Sequence, residues 1–190
     1  HFDRFLARCF GEGVWQNTFG IGPGTRSFVT SIGCPHRCIF CTTGTRAQRR
    51  VDLSRQVELL SVARDRGATE LDLDGGEPTL HPRLFELIGV ARRLGFARVA
   101  LTTNGRRAFY PDYAARLATS GVTHIAFSIH GPDAALHGAE VGEADAFEQT
   151  VEGARNVIAS APAGVELAAK LTLTRNNTPH LLEAAELVAG

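Results

Sequence analysis

The segment ELDLDGGEPTLHPRLFELIGVARRLGFARVALTT, residues 70–103, contains one complete strand–helix–strand unit. Glu70 to Asp74 has the composition of a short buried strand. Apolar residues at the spacing of one helix face come next, namely Leu84, Leu87, Ile88, Ala91 and Leu94. Pro82 marks the start of this helix, Gly95 marks its end, and a second strand follows over Arg98 to Thr102. Because the links are short, the two strands are predicted to lie parallel, joined by a right-handed crossover.

The same unit recurs on both sides of this segment. Further strands are predicted over 26–32, 123–129 and 165–174, and further helices over 53–66, 112–120 and 147–158 and from Thr178-Pro179 onward. The glycines that end successive helices, Gly67, Gly95 and Gly121, lie 28 and 26 residues apart, about one unit each. Five repeated βα units predict an α/β fold whose parallel sheet curls into a complete or partial barrel.

Composition places the chain among ordinary globular domains. It has 190 residues, 44% of them hydrophobic, and its 20 Lys and Arg balance 20 Asp and Glu. This balance argues against disorder and against an obligatory nucleic-acid partner. No apolar run reaches the roughly 18 to 20 residues of a membrane span, so we expect a cytoplasmic protein without membrane contact. Residues 1–25 are predicted to form an irregular lead-in to a core domain over 26–190.

Cysteine is concentrated in one loop. Three of the four cysteines lie in Cys34-Pro-His-Arg-Cys38-Ile-Phe-Cys41, a segment too short for a disulfide framework. Three thiolates can hold three corners of a [4Fe-4S] cluster and leave the fourth iron open for chemistry. A structural zinc site is the alternative, but His36 is too close in sequence to complete a tetrahedron easily. Cys9 is either a further ligand or an ordinary small buried residue.

The remaining polar segments follow the predicted strands. They read Gly75-Gly76-Glu77-Pro78, Thr103-Asn104-Gly105 and Ser128-Ile129-His130-Gly131. In a parallel α/β barrel the active site is built from the loops after the strands. These segments and the cysteine loop are therefore expected to meet at one mouth.

Taken together, Cys34-x3-Cys38-x-Phe40-Cys41 and the Gly-Gly-Glu-Pro segment resemble the radical S-adenosylmethionine (radical SAM) enzymes, in order over residues 26–190. The resemblance implies a partial barrel with about five visible units of a (β/α)6 core, the last unit being absent. It implies that Cys34, Cys38 and Cys41 ligate a [4Fe-4S] cluster, and that Phe40 lies beside the adenine of S-adenosylmethionine.

The resemblance also assigns cofactor contacts after the second strand. The backbone groups of Gly75 and Gly76 would meet the ammonium of S-adenosylmethionine, and Glu77 would add a fixed acceptor. The same residues would also suit a plain strand-to-helix turn.

Further contacts are implied along later strands. Ser128 would bond the ribose hydroxyls and Asn104 would line the same mouth, although Asn-Gly is also a common turn pair. Many relatives carry an arginine after the fourth strand that holds the cofactor's carboxylate, and this arginine is missing here. Lys170 or Arg175 could replace it, the loop could be shaped differently, or the cofactor could be used less efficiently. Lys170 could also be a solvent-seeking lysine at the barrel edge. His130 is predicted to serve catalysis near the substrate, or else to be tied to backbone.

The function implied is reductive cleavage of S-adenosylmethionine to a 5′-deoxyadenosyl radical that abstracts hydrogen from a substrate. The segment around Ser128 resembles branches that mature peptides or natural products. The expected partners are a low-potential electron donor such as flavodoxin or ferredoxin and a peptide or small-molecule substrate. The alternatives are a radical SAM methyltransferase, a catalytically silent relative that binds S-adenosylmethionine, and a zinc-stabilised binding module.

Overall fold

The computed structural model describes residues 25–31 (backbone), 33–41 and 52–189. Five strands form one parallel sheet in the order β1-β2-β3-β4-β5. They are Thr25–Ser31 (β1), Glu70–Gly75 (β2), Arg98–Thr103 (β3), His124–Ser128 (β4) and Glu166–Lys170 (β5). The sheet is open in the described residues, since β1 and β5 are its edges. This confirms the α/β partial barrel. The predicted lead-in falls, except for Thr25, outside the described residues.

Helices follow the strands as the periodicity predicts. They are Leu53–Asp65 (α1), Leu84–Arg93 (α2), Pro111–Ala118 (α3), Ala134–Val141 (α4), Ala146–Ser160 (α5) and Leu181–Ala189 (α6). Single 3-10 turns occupy Pro78–Leu80, Arg106–Phe109 and Thr178–His180. The extra helix is α4, which opens with Asp133 accepting a hydrogen bond from the Leu136 N–H. Its sequence is short and lacks a clear apolar stripe, which is why the periodicity does not show it.

The fifth strand is shorter than predicted, because β5 ends at Lys170 rather than Thr174. The last sheet bond at this end joins Ile129 N–H to the Lys170 carbonyl. Beyond it, Asn177 Nδ2 donates to the Thr172 carbonyl at 2.8 Å and to the His130 carbonyl at 3.1 Å. This side chain draws the chain away from the sheet.

Alternation along the strands separates a packed face from an open one. The packed face carries the fully buried Leu71, Leu73, Val99, Leu101 and Ile125, which meet apolar residues of the helices. On α2, these are Leu84, Leu87, Ile88 and Ala91. Each such leucine stabilises the fold by about 1.5–3 kcal/mol. The other face carries small and polar residues, so its edge at the carboxyl ends of the strands is free to line a site. Within the described residues, no helix is long and apolar enough to cross a membrane.

Candidate active site

One cavity of about 260 Å³ lies at the carboxyl ends of the strands. All eleven residues proposed from the sequence line it: Cys34, Cys38, Phe40, Cys41, Gly75, Gly76, Glu77, Asn104, Ser128, His130 and Lys170. Five others line it. Asp74, Thr102 and Thr172 lie outside the cysteine loop and the polar segments quoted from the sequence, whereas His36 and Thr103 lie within them but were given no contact with the cofactor. Asp74 and the two threonines of β3 end their strands, and that position was a signal for them.

The cysteine loop is anchored on the end of α4. Arg37 N–H donates to the Val141 carbonyl at 2.8 Å, and Ile39 N–H donates to the Glu140 carbonyl at 3.0 Å. These carbonyls belong to the last turn of α4, where no helical donor remains for them. Gly142, at φ 71°, follows the helix, and a Cβ there would lie 3.0 Å from Arg37 Cβ. Helix α4 therefore fixes the loop that carries the three thiols.

A backbone contact joins the cysteine loop to the Gly-Gly-Glu-Pro turn. Glu77 N–H donates to the Gly33 carbonyl at 3.0 Å. A Cβ on Gly76 would lie 2.1 Å from that same oxygen, so only glycine allows this approach. Gly75 adopts φ 133°, a conformation that favours glycine. The two motifs quoted from the sequence thus form one rigid unit.

The three thiols of the cysteine loop are suited to binding a cationic metal centre. Burial raises the pKa of the Cys38 thiol to about 11, and the neighbouring Cys34 and Cys41 add to the rise. Burial also raises the pKa of Cys34. Thiols that oppose one another's ionisation become thiolates when a cation binds them together. In the described part of the chain, no three His, Cys, Asp or Glu side chains surround a single ion position. The match to a cluster therefore rests on the donor set and its cavity.

The buried carboxylate of Glu77 acts as a clamp, because its hydrogen bonds join the turn after β2 to the end of β3. Its Oε1 accepts from Thr79 N–H at 3.0 Å, from Thr79 Oγ1 at 2.6 Å and from Thr103 Oγ1 at 2.6 Å. Its Oε2 accepts from Asn104 N–H at 2.7 Å. Burial raises the pKa of this carboxyl, and these hydrogen bonds oppose the rise. The carboxylate is already engaged by protein donors, so its contact with a cofactor ammonium stays a prediction.

His130 is bonded to backbone and also lines the cavity, and its role in catalysis stays a prediction. Its Nδ1 accepts from Thr172 N–H at 3.2 Å, so in the neutral ring the proton lies on Nε2. Burial lowers the pKa of His130 to about 4, and His137 and His36 add to the fall. The ring lies edge-on to Phe40, with centroids 4.7 Å apart. His130 is thus tied to backbone and lines the cavity as a neutral hydrogen-bond donor.

Two exposed basic residues were considered for the cofactor's carboxylate, Lys170 and Arg175. Lys170 ends β5 in register with Ser128, and both residues line the cavity. Arg175 is exposed and does not line it. Of the two basic residues considered from the sequence, Lys170 is therefore the one at the cavity.

The protein-family comparison decides which family this arrangement represents. The model of the Radical SAM superfamily matches residues 28–175, which include every residue of the cavity named above. The chain belongs to the radical SAM superfamily. The resemblance inferred from the cysteine loop and the Gly-Gly-Glu-Pro turn is confirmed.

Curated relatives of this radical SAM chain differ in what they act on. The PqqA peptide cyclase of Streptomyces rochei is 34% identical over 147 residues, covering 76% of this chain and 39% of that protein. A probable GTP 3′,8-cyclase of Saccharolobus islandicus is 30% identical over 156 residues, covering 81% of this chain and 49% of that protein. This radical SAM chain therefore spans two fifths to half the length of these relatives.

Solved structures share the fold. Streptococcus suis SuiB bound to S-adenosylmethionine aligns with a TM-score of 0.73 at 20% identity, over 95% of this chain and 41% of that one. Native anSMEcpe with bound AdoMet and Cp18Cys peptide aligns with a TM-score of 0.69 at 18% identity, over 88% of this chain and 48% of that one. At these identities, the likeness shows the radical SAM partial barrel.

Proposed function

We propose that this chain is the radical-generating core of an enzyme that matures a peptide or a small natural-product precursor. It would hold a [4Fe-4S] cluster on Cys34, Cys38 and Cys41 and one S-adenosylmethionine beside it. When bound, these groups supply one-electron reductive cleavage of S-adenosylmethionine and the hydrogen abstraction that follows. One observation carries the proposal: all eleven residues inferred from the sequence line a single cavity.

The chain's own residues would bind and orient the cofactor. The side-chain carboxylate of Glu77 already accepts hydrogen bonds from Thr79, Thr103 and Asn104. The ammonium of S-adenosylmethionine would therefore be bound by backbone groups of Gly75 and Gly76, which line the cavity. Lys170 would pair with the carboxylate in place of the missing arginine, and Ser128 across the strand pair would meet the ribose. Helix α4 would keep the thiols in place through its two carbonyls.

His130 would act toward the substrate. Its Nδ1 is occupied and its pKa is about 4, so it offers Nε2–H at neutral pH rather than taking up a proton. This suits orientation of a carbonyl or hydroxyl oxygen of the substrate. A peptide substrate agrees with the peptide cyclase among the curated relatives and with SuiB, whose structure was also solved with its precursor peptide SuiA. A flavodoxin or ferredoxin would supply the electron.

The deciding experiment is anaerobic reconstitution with iron and sulfide. We expect about four iron and four sulfide per chain, and 5′-deoxyadenosine after addition of dithionite and S-adenosylmethionine. Replacing Cys38 with Ala should abolish cluster loading, whereas replacing Cys9 with Ala is the matched control and should not. Zinc without sulfide would establish the zinc-stabilised module instead. A loaded cluster that never cleaves S-adenosylmethionine would establish the silent relative.

The assignment of Lys170 has its own test. Lys170→Ala should weaken S-adenosylmethionine binding by about tenfold or more, the usual value of one charge-assisted contact. Lys170→Arg should restore much of it. The measurement is equilibrium binding to the reconstituted protein. If Lys170→Ala binds the cofactor as tightly as the wild type but loses substrate turnover, the lysine serves the substrate carboxylate or phosphate instead.

A further inference from the structure

The side chain of Asn104 reaches across the cavity mouth to one of the thiols. Its Nδ2 lies 3.7 Å from Cys34 Sγ, a hydrogen-bond distance to sulfur, between residues 70 positions apart in the sequence. Cys34 also receives a backbone hydrogen bond from His36. Cys34 thus receives one hydrogen bond from the side chain of Asn104 and one from the backbone of His36.

The orientation of the Asn104 amide is fixed by its other partner. Its Oδ1 accepts from Arg106 N–H at 3.1 Å, closing a turn within the loop. A flipped amide would set its NH₂ against that N–H donor, so Nδ2 must be the atom that faces Cys34. The assignment of donor and acceptor thus follows from the hydrogen-bond pattern.

Asn104 is also held in place along its backbone. Its N–H donates to Glu77 Oε2 at 2.7 Å, and its carbonyl accepts from Thr150 Oγ1 at 2.7 Å. Glu77 follows β2 and Thr150 lies on α5, so two separate elements position this residue. It is 6% exposed, which leaves the amide little competition from water. A simple Asn-Gly turn does not require a donor that is fixed and shielded from water in this way, so the contact with Cys34 calls for its own explanation.

We propose that Asn104 is a positioning residue that sets the reduction potential of the cluster through its hydrogen bond to Cys34. The inference rests on the proposed function, since it requires the cluster. A donor to a ligating sulfur stabilises the reduced, more negatively charged cluster and so raises its potential. With this bond, a biological donor of given potential reduces the cluster more completely.

Two variants separate the hydrogen bond from the shape of the loop. Asn104→Asp keeps the size of the side chain and the acceptor for Arg106 N–H, but replaces the Nδ2 donor with a charged oxygen. Asn104→Ala removes the donor without adding charge. The matched control is Asn156→Ala, because Asn156 Nδ2 donates to the Ala108 and Phe109 carbonyls, next along the same loop, and not to a thiol.

The experiment is an EPR-monitored potentiometric titration of the reconstituted full chain without S-adenosylmethionine. We expect Asn104→Ala to lower the equilibrium constant for reduction about tenfold, or 59 mV for one electron, and Asn104→Asp to lower it further. Asn156→Ala should match the wild type. Equal potentials in the wild type and both Asn104 variants would overturn the inference.

Loading and stability distinguish the remaining outcomes. If Asn104→Ala fails to bind iron, Asn104→Leu, which has about the size of asparagine and carries neither a donor nor a charge, becomes the deciding variant. If neither variant loads iron although both melt at the wild-type temperature, Asn104 serves cluster assembly and the inference is overturned. A wild-type chain that binds no iron and sulfide would refute the proposed function itself, whereas unchanged potentials in loaded variants refute only the role of Asn104.

Discussion

Replacing Gly76 with Ala tests whether the cysteine loop and the Gly-Gly-Glu-Pro turn act as one unit. The new Cβ would lie 2.1 Å from the Gly33 carbonyl oxygen, 2.5 Å from its carbon and 2.6 Å from its nitrogen. To reach 3.4 Å, the lower end of ordinary contact, the two backbones must separate by about 1.3 Å. Neither neighbour is a flexible side chain, so the strain falls on the backbone that leads directly into Cys34.

The expected cost follows from two parts. Overpacking a rigid site costs about 1–3 kcal/mol, and the hydrogen bond from Glu77 N–H to the Gly33 carbonyl, worth about 1 kcal/mol, is lost with it. A total of about 3 kcal/mol lowers the melting temperature of a domain of this size by roughly 6–12 °C. A displacement of about 1 Å at Cys34 should also reduce S-adenosylmethionine cleavage by roughly 100-fold.

The assay compares Gly76→Ala with Gly89→Ala by thermal unfolding, by iron and sulfide content and by 5′-deoxyadenosine formation. Gly89 lies in α2, where a new Cβ would meet only the end of the Arg93 side chain, at 3.3 Å. This control should be stabilised by up to about 1 kcal/mol, because alanine is the better helix former. Wild-type stability together with full cluster loading in Gly76→Ala would refute the reasoning.

Three further variants examine other parts of the site. Glu77→Gln places an NH₂ against a backbone or hydroxyl donor and should cost about 2 kcal/mol in urea unfolding; unchanged stability would show that the clamp is unnecessary. His130→Ala should spare S-adenosylmethionine cleavage but slow substrate turnover. Because burial lowers the pKa of His130 to about 4, the ratio of wild-type to variant turnover should stay constant between about pH 6 and 8. Equal turnover would limit His130 to a structural role. Burial likewise lowers the pKa of His137 from 6.5 to about 4, so unfolding takes up a proton at any pH between these two values. The free energy of unfolding therefore falls as the pH drops from 6.5 to 4, by up to roughly 3 kcal/mol. Burial lowers the pKa of His36 and His130 to about 4 as well, so His137→Phe should reduce, not abolish, this pH dependence in urea unfolding of the unreconstituted protein. An identical pH dependence would contradict the reasoning.

Local signals in the sequence were sufficient to predict the five strands, five of the six helices in the described residues and eleven of the residues that line the cavity. The predicted strand Arg98–Thr102 and the observed β3 differ by one residue, because a buried strand and its flanking helices each carry their own periodicity. The lining residues follow from topology, since parallel strands bring their carboxyl ends to one edge. The same local reasoning overextended β5, whose end is set by the side chain of Asn177. It also missed α4, because that helix is short and lacks a clear apolar stripe.

The sequence by itself determined that this is a radical SAM βα repeat, with three thiols on one loop and glycine-rich, polar turns after the strands. Only the tertiary structure decided what those groups do to one another. Glu77 bonds Asn104 across 27 positions, and Asn104 meets Cys34 across 70. Hydrogen-bond partners so distant along the chain leave no periodic trace in the sequence, because they depend on how two separately formed strand ends are brought together by packing of the sheet.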